Sequence, residues 1–271
     1  MKNKIRYFFK RVYKRFRAWW NGSDNPFVII YFRFIFKPKP GSVEQFLDLY
    51  SKSTDDFFVV QIGANDGITH DPVHPFIKRD RWSGVLLEPQ HYVFEHELKI
   101  VYRKHHNLRL VNAALGTVDG ITKLYAIGFS NERWATGLAR FDRLSLEAMF
   151  ESGKIAKRAK KAGQSLPEDQ TKWIEEHNIR SVTVKTLIKE SDVSKIDLLM
   201  IDTEGFDAEV VKMFIADDIL PNAIVYESFQ LSEEDKKECE SLLLSKHFLL
   251  KDIGPNTVAW QHGLNELVPW Q

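Results

Sequence analysis

Short apolar runs separated by longer amphipathic stretches recur along most of this chain. Phe57-Phe58-Val59-Val60-Gln61-Ile62 is apolar except at Gln61, and Gly84-Val85-Leu86-Leu87 is apolar throughout. Ile196-Asp197-Leu198-Leu199-Met200-Ile201 and Ala223-Ile224-Val225-Tyr226 repeat the profile. Runs this short and this apolar suit strands of a parallel sheet buried on both faces. Leu108 to Gly116 predicts a further strand and turn, Ile121 to Ala126 another strand, and Ser181 to Lys185 alternates as an edge or paired strand. Between the runs, Ser42 caps a short helix through Tyr50, and Ser145 to Lys161 has helical spacing. Ser165-Leu166-Pro167-Glu168 fits a capping box opening a helix through His177, and Ser232 caps a helix through Lys246. Phe248 to Asp252 and Thr257 to Trp260 predict an antiparallel end to the sheet. The pattern is that of an α/β domain.

The strand ends carry the chemistry. The first run leads into Gly63-Ala64-Asn65-Asp66-Gly67, a turn with glycine at both ends, placed where open α/β sheets bind ligands. A dinucleotide fingerprint needs glycine where Asn65 and Ile68 stand, and a phosphate-binding P-loop needs a lysine after Gly67. The remaining common use of such a turn is S-adenosylmethionine, which has no pyrophosphate to cradle. The second strand ends in Glu88-Pro89, where an acid can accept from ribose hydroxyls and proline stops the strand. Asn112 follows the third strand, and its amide can read an adenine edge or satisfy turn backbone. The central strand runs into Asp202-Thr203-Glu204-Gly205, and the next ends at Glu227. Carboxylates gathered at one edge of a buried sheet are costly unless they serve or are paired.

These residues carry a resemblance. Ile62 to Gly67, Gly84 to Pro89, Asn112-Ala113-Ala114 and Ile201-Asp202-Thr203-Glu204-Gly205-Phe206-Asp207 resemble the FkbM family of S-adenosylmethionine-dependent methyltransferases over roughly residues 55 to 260. The match is poor near 130 to 180, and Gly254-Pro255-Asn256-Thr257 stands where the family often has an acid. The resemblance implies a class I methyltransferase, with a Rossmann-like, mostly parallel sheet and an antiparallel terminal strand. It implies S-adenosyl-L-methionine held by Gly63, Ala64, Asn65, Asp66, Gly67, Glu88, Pro89, Asn112, Ala113 and Asp202. It also implies a hydroxyl acceptor on a sugar or natural product, here expected to be a glycan or glycolipid. Such an acceptor must lose a proton, and the candidate bases are Asp202, Glu204, Glu227 and His70. Two other readings compete: a Rossmann-like enzyme using another nucleotide, opposed by Asn65 and Ile68, and a silent binding protein, opposed by the intact set of strand-end residues. His70, Asp71 and His74 have the spacing of a metal site, but Pro72 works against the helix it needs, and no metal is expected.

Composition changes the picture at the N-terminus. The net charge of the 271-residue chain is only +1, yet residues 1–40 hold eleven Lys/Arg and a single acid, Asp24. In residues 1–20, Ile5, Phe8, Phe9, Val12, Tyr13, Phe16, Trp19 and Trp20 recur at helical spacing among basic residues. A basic face opposite an aromatic one predicts an arm lying on an anionic membrane surface; the alternative is a helix docked on its own domain. Phe27 to Phe36 is too short to span a bilayer and contains Arg33. No further motif supports nucleic-acid binding. The lone Cys239 excludes an internal disulfide and fits a buried position in a cytoplasmic protein, here expected at the inner face of the membrane. Residues 41–271 form the expected catalytic domain. Its helical insertion at 129–180 carries Lys154, Lys157, Arg158, Lys160 and Lys161, suited to capping an anionic acceptor. His105, His106 and His262 are expected at the surface.

Overall fold

The computed structural model describes residues 12–13, 16–22 and 24–270. The strands are β1 Phe58–Ile62, β2 Ser83–Leu87, β3 Leu108–Val111, β4 Ala114–Leu115, β5 Gly120–Ile127, β6 Ile174–Val182, β7 Leu198–Ile201, β8 Ala223–Glu227, β9 Phe248–Ile253 and β10 Asn256–Gln261. Seven of them form one sheet in the order β3-β2-β1-β7-β8-β10-β9. All neighbours as far as β8 pair in parallel, and β10 pairs antiparallel to both β8 and β9. This is the Rossmann-like sheet of class I methyltransferases, with the antiparallel end the sequence predicts.

The apolar runs explain the layering. β7 is buried at every residue, and alternate side chains feed two cores. Leu198 and Met200 join Phe46, Leu47, Tyr50, Phe76 and Trp82 on one face. Leu199 and Ile201 join Val210, Val211, Phe214, Tyr226 and Cys239 on the other. Burial on both faces forbids polar substitution and leaves the strand ends as the places where polar chemistry can sit. Ser42 accepts from the Gln45 N–H to start the helix Val43–Ser53, and Ser232 accepts from the Asp235 N–H to start Glu233–Ser245.

The insertion is not the expected helical pair. Ser165 opens no helix; after a short 3₁₀ turn at Gln170–Lys172 the chain enters β6, which pairs antiparallel along all of β5. Only Trp173 and Ile174 are apolar between Glu168 and Asn178, so a helix there has no face to bury, whereas the strand gains a full ladder. β6 ends at Val182, and Thr183 caps the helix Val184–Glu190 where sequence alternation suggested more strand. The stretch expected as one helix from Ser145 is two, Arg143–Glu151 and Lys154–Ala162, divided at Gly153 with φ of 71°. Their inner sides pack with Ile127 and Leu138 into a separate small core. His105 also departs from expectation: it is buried, with its ring against the Trp82 carbonyl.

Most of the basic arm, and the residues that carry its predicted helical spacing up to Arg11, lie outside the described residues. Of the described residues of the arm, 16–22 are helical and rest on the domain. Arg17 bonds Asp66 and Thr69, Arg103 donates to the Trp19 carbonyl, and Ala18 is buried while Phe16 and Trp19 face outward. Asp24 continues the attachment through Arg81 at 2.9 Å and the buried Lys78 at 3.5 Å. No described helix is long and apolar enough to cross a membrane.

Candidate active site

The sheet order reverses between β1 and β7, which leaves a crevice beyond their C-terminal ends. β1 exits through Gly63, whose φ is 87°. A Cβ there would lie 1.9 Å from the Asp202 carbonyl oxygen, so only glycine lets the β1 and β7 exits run this close. The Gly63 and Ala64 N–H groups both donate to the Leu87 carbonyl, which ties the turn to the end of β2.

A cleft follows, lined by Gly63, Asn65, Glu88, Pro89, Ala113 and Asp202 from the strand ends and by Arg133 and Thr136 of the short helix Arg133–Thr136 and Phe141 from the segment after β5. Glu88 is almost fully buried. Its Oε2 accepts from the Asn65 N–H at 2.9 Å and its Oε1 from the Gln90 N–H at 2.8 Å. Burial pushes its carboxyl up to about 7, against the lowering by these bonds. Thus the acid closing β2 also joins the two loops that shape the cleft.

The other sequence candidates divide. Ala64, Asp66, Gly67 and Asn112 are not on the cleft wall. Asp66 accepts from the Ile68 and Thr69 N–H groups and from the Thr69 hydroxyl, and so folds the turn. Gly67 leaves room for Leu98 and Tyr102, each 2.8 Å from a Cβ built there. Asn112 donates to the Glu88 and Pro89 carbonyls at 2.8 and 3.1 Å, so its amide braces the β2 exit. His70 and His74 share no helical face. His70 sits in a left-handed turn with φ of 59°, and the helix His74–Asp80 begins only afterwards. His74 is buried against Tyr102 and Asn21, and burial drives its ring down to about 3, which keeps it neutral.

The acidic edge is built by Asp207, which closes the Ile201-to-Asp207 motif and has no role that its residue type alone declares. It is fully buried and accepts from the Thr203 and Gly205 N–H groups, the Thr203 hydroxyl and the Glu227 N–H. It therefore clamps the Asp202–Gly205 loop to the end of β8. Asp207→Ala leaves those buried donors unpaired and should destabilise the fold by about 3 kcal/mol or more, measurable by urea denaturation. A loss below about 1 kcal/mol would show that the loop is held by other contacts.

Held this way, Asp202 and Glu204 line both the cleft and an adjoining wider basin. Burial, then the charges of Glu204 and Asp207, pushes the Asp202 carboxyl up to about 7, while Arg133 opposes the rise. Glu227 faces the basin and is also raised by burial, though Gln230 opposes it. Gln230 spans the two glutamates, donating to Glu204 at 3.2 Å and to Glu227 at 2.6 Å, while its own carbonyl accepts from Arg140. The basin wall also carries the cations Arg133, Arg158 and Lys39, together with Glu44 and His70. Arg133, Thr136, Arg140 and Gln230 lie in no recognisable motif, and of the insertion's basic stretch only Arg158 reaches the basin.

Three buried polar atoms on the cleft wall have no protein partner: Asn65 Oδ1, Thr136 Oγ1 and Arg133 Nε. Unpaired buried polar atoms are costly, and together with Glu88 they fit a ligand rich in hydroxyls and heteroatoms, as S-adenosylmethionine is. Among the described residues no group of histidine, cysteine and acid side chains is arranged to hold a metal ion.

No curated protein matches the chain. Among solved structures it is similar to precorrin-6y C5,15-methyltransferase from Geobacter metallireducens GS-15, at 10% identity and a TM-score of 0.39, over 80% of this chain and 86% of that one. It is also similar to the human methyltransferase 10 domain containing protein, at 12% identity and a TM-score of 0.39, over 80% and 78% of the two chains. The delta-N METTL16 methyltransferase domain matches at 11% identity and a TM-score of 0.39, over 89% and 96%. The sequence profile of the methyltransferase FkbM domain matches residues 61–251. That span runs from the end of β1 into β9 and takes in the whole cleft wall with the acidic edge beside it, and the chain belongs to the FkbM family of methyltransferases.

Proposed function

We propose that this protein is an S-adenosylmethionine-dependent O-methyltransferase whose acceptor is a sugar hydroxyl on a glycan or glycolipid. The observation that carries this reading is the position of Asp202, on the wall shared by the cofactor-type cleft and the open basin. A bound S-adenosylmethionine would supply a methyl group already activated on a sulfonium. Glu88 would accept from the ribose hydroxyls, and Asn65 and Thr136 would meet polar atoms of the ligand with their unpartnered oxygens. Asp202, with a carboxyl near 7, is matched to taking a proton from an acceptor hydroxyl at neutral pH. Glu204 and Glu227, linked through Gln230, would orient neighbouring hydroxyls of a polyhydroxylated acceptor, and Arg133, Arg158 and Lys39 on the basin wall would meet any negative charge it carries.

Calorimetric titration with S-adenosylmethionine and, separately, with a nicotinamide dinucleotide tests the cofactor. Mass spectrometry of cell-envelope glycans with and without the protein tests the acceptor. One glycan class should lose about 14 Da, the mass of a methylene, when the protein is missing. Unchanged glycan spectra with intact S-adenosylmethionine binding would remove the glycan and leave the methyltransferase. Binding of the dinucleotide instead would remove both.

A further inference from the structure

The segment between the arm and the catalytic domain presents an apolar surface that the proposed reaction does not use. Residues Pro26–Ile30 form an α-helical turn that continues as a wider helical turn, Tyr31–Ile35. One side is anchored: Phe32 packs edge-on against His74 and Phe36 against Phe76. The other side carries Phe27, Ile30, Tyr31 and Phe34, spaced i, i+3, i+4 and i+7, with Ile35 beside them, and all five are exposed. Phe27 and Phe34 are exposed to 72% and 70%. A helix already seated on its domain gains nothing by turning five large apolar residues into water, so this face is built for a partner.

Charge identifies the partner. Arg33 lies on the exposed side of the helix, Lys37 and Lys39 follow it, and no acid occurs between Asp24 and Glu44. Asp24 is itself occupied by Arg81 and Lys78. Aromatic and aliphatic side chains flanked only by cations are the profile of an element lying in the headgroup boundary of an anionic bilayer. The segment is also tied to the basin. Lys39, Pro40, Gly41 and Ser42, directly after it, form part of the basin wall. The geometry points to residues 26–39 as a membrane-docking surface that sets the mouth of the basin against an anionic lipid bilayer. The docking stands apart from the methyl-transfer reading and from the arm of residues 1–20. If that reading also holds, its acceptor is one presented at the membrane.

The full chain is tested with vesicles of phosphatidylcholine alone and with added phosphatidylglycerol. It should bind the anionic vesicles and be released by salt. The double variant Phe27→Ser and Phe34→Ser, with residues 1–20 intact, should bind them about tenfold or more weakly, with unchanged circular dichroism and S-adenosylmethionine affinity. Arg33→Glu with Lys37→Glu should weaken binding further at low salt than at high salt. A direct readout avoids any question of folding. Cys239 is fully buried, so Phe34→Cys can be labelled selectively with an environment-sensitive fluorophore. The label should shift to the blue on anionic vesicles only. Three results would overturn the proposal: vesicle binding unchanged in the double variant, no spectral shift at position 34, or a concentration-dependent dimer that Phe34→Ser dissociates while the parent ignores vesicles. The last would make a second copy the occupant of this face.

Discussion

Asp202→Asn should lower kcat by about 10²–10⁴, leave S-adenosylmethionine affinity within a few-fold, and make the cofactor-free protein more stable above pH 7. The three effects come from one cause. Asn keeps the shape of the side chain at the end of β7, and the backbone bond from the Asp202 N–H to the Ile62 carbonyl is untouched. What is lost is a carboxylate able to take a proton from a hydroxyl. Its acid constant near 7 means that wild-type kcat should rise as pH increases through about 7, and the variant should lose that limb. Stability responds in the opposite sense. The folded carboxyl sits near 7 against an ordinary value of 3.8, so its contribution is fully present below 3.8 and is lost as pH rises through about 7. At pH 8 the ionised carboxylate, crowded by Glu204 and Asp207, is a net cost, and replacing it should gain on the order of 1–2 kcal/mol after allowance for its partial exposure. Thermal melts at pH 5 and pH 8 check this: the variant's advantage should appear at the higher pH and shrink at the lower. A variant that loses cofactor affinity in step with kcat would make Asp202 a cofactor-holding residue and move the base to Glu204, Glu227 or His70.

The parts of this site that were legible in the sequence are those fixed by local chemistry. The turn at Gly63 and the acid at the end of β2 could be read because a buried strand announces itself by composition and the residue after it has a defined place. Asp202, Glu204 and Glu227 were legible for the same reason. The other wall was not. Arg133, Thr136 and Phe141 reach the cleft because β5 pairs with β6, more than a whole helical excursion later in the chain, and because Tyr125 and Arg140 exchange backbone bonds across the intervening loop. Nothing local in Glu175-Glu176-His177-Asn178 declares a strand; its pairing partner decides it. Asn112 and Asp66 show the converse. Their residue types fit ligand contact, yet the Asn112 amide donates to backbone carbonyls and pairs with His91, and Asp66 accepts from the backbone and side chain of its own turn and from Arg17. In sequence a ligand-binding amide and a loop-bracing amide look alike, and only the count of satisfied partners separates them.

That count makes Glu88 the residue on which the cofactor proposal turns. It is buried, its carboxyl stands near 7, and it accepts from the backbone of both the Asn65 and the Gln90 loops. Hydroxyls donated by a ribose favour the ionised form, so S-adenosylmethionine binding should pull the Glu88 carboxyl below its free value and release a fraction of a proton near pH 7. Affinity should accordingly weaken as pH falls below about 7, while kcat at saturating cofactor follows Asp202 alone. Glu88→Gln removes the charge and places an amide donor opposite the Asn65 or the Gln90 N–H, so it cannot serve both loops. Glu88→Ala serves neither. Each should weaken cofactor binding by about 1.5–3 kcal/mol, the range for a hydrogen bond to a charged group, or roughly 10- to 150-fold in Kd. Calorimetry in buffers of different ionisation enthalpy measures both quantities at once. The proton release should be present in the parent, absent in Glu88→Gln, and unchanged in Asp202→Asn if Asp202 serves the acceptor rather than the cofactor. Unaltered affinity in Glu88→Ala would mean that this acid only ties two loops together, and that the ribose, if there is one, lies elsewhere in the cleft.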